Sequence, residues 1–124
     1  MYIVYKEDEI EQLQLKYLLL EMDTVQITKD KDITAYCVID TEHITLQEMT
    51  TVEEMKDQHS ELLDFYKNKE WSNALNTIKE LKGSFKGEMD SFYNILKDRI
   101  CVLKTTDLPS NWTGIISDDN KMDF

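Results

Sequence analysis

Apolar positions along this chain change period near residue 50. Before it they alternate with polar ones, as side chains do when they leave a strand on opposite faces. Tyr2-Ile3-Val4-Tyr5 is a short β-prone run. Val25 and Ile27 alternate with Thr24, Gln26 and Thr28 inside an extended stretch from Leu18 to Thr28. Ile33 to Asp40, ITAYCVID, is β-branched and aromatic and is the strongest strand candidate. The polar break between them, KDKD at 29–32, has hairpin length and predicts antiparallel pairing. Glu7 to Leu15, with Ile10, Leu13 and Tyr17 at helical spacing, predicts a brief helix. HITLQEM, His43 to Met49, is expected to add a third or fourth strand.

After residue 50 the offsets become three and four. Thr51-Val52-Glu53-Glu54 has the form of a capping box, in which hydroxyl and carboxylate each take the other residue's backbone amide. Behind it Val52, Met55, His59, Leu62 and Tyr66 share one helix face. Asn68 is the candidate N-cap of a second helix with the stripe Trp71, Ala74, Ile78, Leu81 and Phe85, closed by Gly83 and Gly87. A third stripe runs through Met89, Phe92, Tyr93, Leu96, Ile100 and Leu103. Pro109 disfavours helix at its predecessor, so this helix should stop before Leu108. Trp112 to Ile116 is apolar enough to dock; Ser117 to Phe124 is a polar tail.

The pattern predicts an α+β chain: an antiparallel sheet of three or four strands in 1–50, a three-helix array in 51–108 and a tail in 109–124, making one domain. Three amphipathic helices joined by short breaks must bury their stripes on one another. Tyr66 and Trp71 then wedge the corner between the first two, and Ala74 lets them approach closely. Tyr66, Trp71, Ala74 and Ile78 are therefore expected to form a structural joint rather than a ligand site.

Charge narrows the possible partners. The formal net charge is −11, with 13 acidic and 4 basic residues in 1–55 and 12 and 10 in 56–124. Such a surface disfavours nucleic acid, whose phosphates need Lys and Arg, and disfavours anionic membranes. No apolar run approaches the roughly 20 residues that span a bilayer. No signal peptide is expected, and the sequon at Asn111 is read as chance. Cys37 and Cys101 lie in apolar company, AYCVI and RICVL, and are expected to be buried thiols in a reducing compartment, the cytoplasm.

Candidate chemistry is sparse. His43 and His59 are the only histidines, and neither has a second His or a Cys three or four residues on. His59 lies on an apolar stripe and is expected to be half-buried and satisfied; His43 is expected to be exposed. Asp118, Asp119 and Asp123 match no calcium loop. Cys37 and His43 come with no sign of an oxyanion hole. Gly83, Gly87 and Gly114 form no phosphate-binding loop. No catalytic residue, metal or cofactor is expected.

Residues 59–82 resemble one tetratricopeptide unit, the two-helix solenoid repeat. The aromatic near the end of that family's first helix falls on Phe65 or Tyr66. Its turn aromatic falls on Trp71, its helix-two alanine on Ala74 and a later apolar position on Ile78. Its turn glycine is Lys69 here, an early leucine is Glu61, and its closing proline is Lys86. The helices with Pro109-Ser110-Asn111-Trp112-Thr113-Gly114 also resemble the helical end segment of some bacterial class III adenylate cyclases. The cyclase catalytic domain has no counterpart here. GEMDSFYNIL and NWTGI are similar to parts of small proteins of tailed marine phages, which would imply a host cytoplasm. A tetratricopeptide-like array implies a protein partner.

Two functional expectations follow. One is a non-enzymatic protein-interaction module using the helical hairpin or a sheet edge, with aromatic side chains supplying contact area. The other is an acidic decoy whose carboxylates imitate nucleic-acid phosphates and occupy a basic enzyme.

Overall fold

The computed structural model describes residues 2–28, 31–39, 45–110 and 112–115. The chain is α+β, an antiparallel sheet followed by helices. Its described residues divide into two compact units, one of residues 2–53 with Ile115 and one within residues 54–114.

The first unit is built on three strands, β1 (Tyr2–Val4), β2 (Leu18–Thr28) and β3 (Lys31–Ile39), in the order β1-β3-β2. The centre goes to β3, the β-branched and aromatic run. Both neighbours are antiparallel to it, with Ile3 and Leu20 each opposite Cys37. β1 and β2 are therefore parallel to each other. Helix α1 (Glu7–Leu13) makes the crossover between them, skipping the place that β3 fills. Leu20, Ala35, Cys37 and Ile39 are buried in this unit, and Val4 is 2% exposed.

The alternation in β2 is broken, and a bulge explains why. Glu21 pairs with Tyr36 and Thr24 with Thr34, so Met22 and Asp23 together oppose Ala35. The extra residue moves the buried set from Leu20 and Met22 to Val25. Beyond the bulge the Thr24 and Thr34 hydroxyls meet at 2.7 Å, a cross-strand pair that fixes the register. The KDKD break is shorter than expected, because β3 already begins at Lys31. Lys29, Asp30 and Asp40 lie outside the described residues.

The expected strand at 43–49 is not formed by its described part. Leu46–Met49 is the first turn of α2 (Leu46–Lys67), and His43 lies outside the described residues. The Thr45 hydroxyl accepts a bond from the Glu48 amide at 3.2 Å. Thr45-x-x-Glu48 thus caps the helix six residues earlier than Thr51-x-x-Glu54, and Thr51 is an exposed interior position.

The second unit holds the rest of α2 with α3 (Trp71–Leu81) and α4 (Asp90–Leu103). The N-cap of α3 is Glu70, not Asn68. Asn68 still belongs to the end of α2, since its amide donates to the Asp64 carbonyl. The chain reverses at Lys69, which takes the left-handed conformation with φ 62°. Leu62, Ala74, Ile78, Leu81, Phe92 and Leu96 are at most 1% exposed and form the core of this unit. Between α3 and α4 a tight 3-10 turn, Ser84–Gly87, places both Phe85 (φ 54°) and Lys86 (φ 57°) in the left-handed region. That conformation costs an L residue about 1–2 kcal/mol. Burying the Phe85 ring, 5% exposed, returns about 1.5–3 kcal/mol, so the turn is held by its aromatic. Lys86 is exposed and has no such compensation.

Cys101 departs from expectation. It is exposed, whereas Cys37 is buried, and neither is in a disulfide. Ile100 takes the inward position on α4 at 0% exposure, and the next residue is turned about 100° away from it.

Candidate functional site

Tyr66 closes α2 and Trp71 opens α3, on either side of the Lys69 reversal. Their rings meet edge to face with centroids 6.0 Å apart. Tyr66 is 4% exposed, Ala74 0% and Ile78 1%, whereas Trp71 is half-buried. A third ring joins them from the C-terminal segment. Trp112 lies 5.3 Å from Tyr66 and 5.6 Å from Trp71, again edge to face. Each such pair adds about 0.5–1.5 kcal/mol beyond area burial. Lys69 Nζ donates to the Pro109 carbonyl at 2.9 Å, and a Cβ at Gly114 would meet the Tyr66 ring at 3.2 Å. Pro109, Trp112 and Gly114 are thus strapped across the α2–α3 corner. The helical stripes marked two of the three rings, and the apolar run from Trp112 marked a segment fit to dock. That the strap seats on this corner was not legible, because nothing in linear spacing aims residue 112 at residue 66.

The one described buried contact of a histidine lies elsewhere in the same unit. His59 Nδ1 and the Tyr93 hydroxyl are 3.0 Å apart, with His59 2% and Tyr93 0% exposed. His59 is therefore more deeply buried than the half-burial expected. The rings of Phe92 and Tyr93 lie 6.1 Å and 5.8 Å from the imidazole. A pair so enclosed reads as a satisfied polar contact tying α2 to α4. Among the described residues no three His, Cys, Asp or Glu side chains are grouped to hold a metal ion. No described helix is long and apolar enough to cross a membrane.

The first unit differs in its surface. α1 buries no residue, and Glu7, Asp8, Glu9 and Glu11 are all exposed. Tyr5 just before it is 54% exposed, Leu15 just after it 87%, and Leu46 at the start of α2 90%. Residues 1–53 carry 12 acidic and 4 basic side chains, whereas residues 54–114 carry 10 and 9. Sequence reasoning named none of these three apolar side chains as exposed. Leu15 had a signal, because it falls off the row made by Ile10, Leu13 and Tyr17. Seven residues after Asp8 and four after Glu11, it shares their outward row.

No protein-family model, curated protein or solved structure matches this chain.

Proposed function

We propose that this chain is a non-enzymatic protein-interaction module whose first unit holds the partner. One observation carries the proposal: Tyr5, Leu15 and Leu46 are exposed in an acidic unit, at 54%, 87% and 90%. Among the described residues the other exposed large apolar side chains are Val102, in the helical unit, and Ile115, in the first unit. Large apolar side chains ringed by charge supply the anchors and the rim of an interface. The fitting partner is another protein that presents apolar groups beside basic ones. A cytoplasmic setting, in a host if the gene is a phage's, belongs to the same proposal, and the reduced state of Cys37 and Cys101, neither in a disulfide, supports it. The tetratricopeptide-like reading of α2 and α3 also stands as a proposal. Lys69 supports it, because it holds φ 62° where that family carries glycine.

The second reading is the acidic decoy. The four exposed carboxylates of α1 favour it. The three apolar side chains favour the module, since an imitation of phosphates has no use for them. Capture of partners from extracts of the native host, repeated across a salt series, separates the two. A module held by apolar anchors keeps its partner at about 1 M salt, where the Debye length falls to about 3 Å, and loses it on Tyr5→Ser with Leu15→Ser. Release by salt, with no effect of those substitutions, favours the decoy.

A further inference from the structure

The strap has the attributes of a bound ligand. α4 ends at Leu103, and residues 104–107 are exposed. The described backbone bonds made by the amides of Lys104, Thr105, Thr106 and Trp112 reach back no more than four residues. The segment is fastened at its far end instead, by one ring, one carbonyl and one close approach. Trp112 fills the angle between Tyr66 and Trp71. The Pro109 carbonyl accepts the Lys69 bond. Gly114, at φ 85°, lies where a side chain would press on Tyr66 and Lys67.

We propose that the α2–α3 corner is a docking site for a Pro-x-x-Trp-x-Gly segment, occupied in cis through Pro109, Trp112 and Gly114 and able to take the same segment from a second copy of this chain. The occupant is identified by its fit: a second copy offers the indole, the carbonyl and the bare glycine that the corner already holds. Exchange of an identical element between protomers is a low-cost route to a dimer, because every contact made in cis is made again in trans. Concentration decides between them. Covalent tethering through residues 104–108 gives the cis segment an effective concentration on the order of millimolar, so the cis form dominates at micromolar protein.

The test uses the full chain and a fluorescent peptide of residues 107–115. Trp112→Ala vacates the corner, and this chain should bind the peptide saturably, at least about tenfold more tightly than wild type does, because no tethered rival remains. The peptide carrying Trp112→Ala should not bind. Gly114→Val gives a second acceptor if the first fails to fold: the new side chain pushes the cis strap off Tyr66 while the corner stays intact, so peptide affinity again rises above wild type. Sedimentation should show a wild-type dimer growing toward millimolar concentration and lost in Trp112→Ala. Folded acceptors that ignore the peptide, or that bind it no better than wild type, overturn the docking site. A wild type still monomeric at millimolar concentration overturns the exchange. These results do not depend on the first unit, so they stand or fall apart from the proposed partner surface.

Discussion

The two units solve the same packing problem to different degrees. In the helical unit the middle of the stripes closes: Leu62, Phe92, Tyr93, Leu96 and Ile100 show no exposed surface, and the polar His59 is paired inside, while Met55, Trp71 and Leu103 toward the stripe ends are half-buried. Its charges nearly cancel. In the sheet unit the central strand is well covered, yet among the described residues Tyr5, Leu15, Leu46 and Ile115 are exposed in a unit with an excess of carboxylates. Isolated exposed apolar residues are common on any protein. Among the described residues these four are exposed in the acidic unit, against Val102 in the helical unit, and the proposed partner surface rests on that contrast. Under the proposed function, the difference separates residues that build from residues that meet a partner.

Substitution at matched side chains breaks the comparison most strongly. Leu96→Ala in the helical core should cost about 2–5 kcal/mol in urea unfolding, because it removes buried methyls and leaves a cavity. Leu15→Ala and Leu46→Ala should each stay within about 0.5 kcal/mol. A cost at Leu15 equal to that at Leu96 would mean the sheet unit hides what it seats there. Next in size is Tyr93→Phe. It strips the hydroxyl from His59 and should cost about 1–3 kcal/mol, the penalty for a buried polar atom left without its partner. An unchanged midpoint would deny that this contact braces the helical core.

Smaller effects test the turns and caps. Lys86→Gly should stabilise the chain by about 1 kcal/mol, since glycine takes φ 57° freely, while Lys86→Ala should bring no gain. Equal effects of the two would show that the left-handed turn carries no strain. Thr45→Ala should cost about 1 kcal/mol and Thr51→Ala less than half of that, because only the first hydroxyl caps α2. The reverse order would move the start of the helix back to residue 51.

Most of the fold was legible because period is a local property. The helical stripes named the core of α3 and α4 nearly residue by residue, and the Val25 and Ile33 runs gave the hairpin. Two kinds of information were not local. Both Thr45 and Thr51 stand three residues before a glutamate, and spacing alone does not choose between two identical caps. The bulge at Met22 and Asp23 disguised the alternation of β2, since a one-residue insertion flips every following side chain. Of the candidate surface, the charge was plain from composition. The exposure of Tyr5, Leu15 and Leu46 was not, because whether an apolar residue is covered depends on segments distant in sequence. The seating of Trp112 on Tyr66 and Trp71 was hidden for the same reason.

The central claim is that the acidic sheet unit meets the partner and the helical unit does not. The most direct measurement compares partner capture by two folded variants, Leu15→Ser with Leu46→Ser in the first unit and Val102→Ser in the second. Loss of the partner in the first variant and full retention in the second is the predicted result. Retention in the first and loss in the second would contradict it.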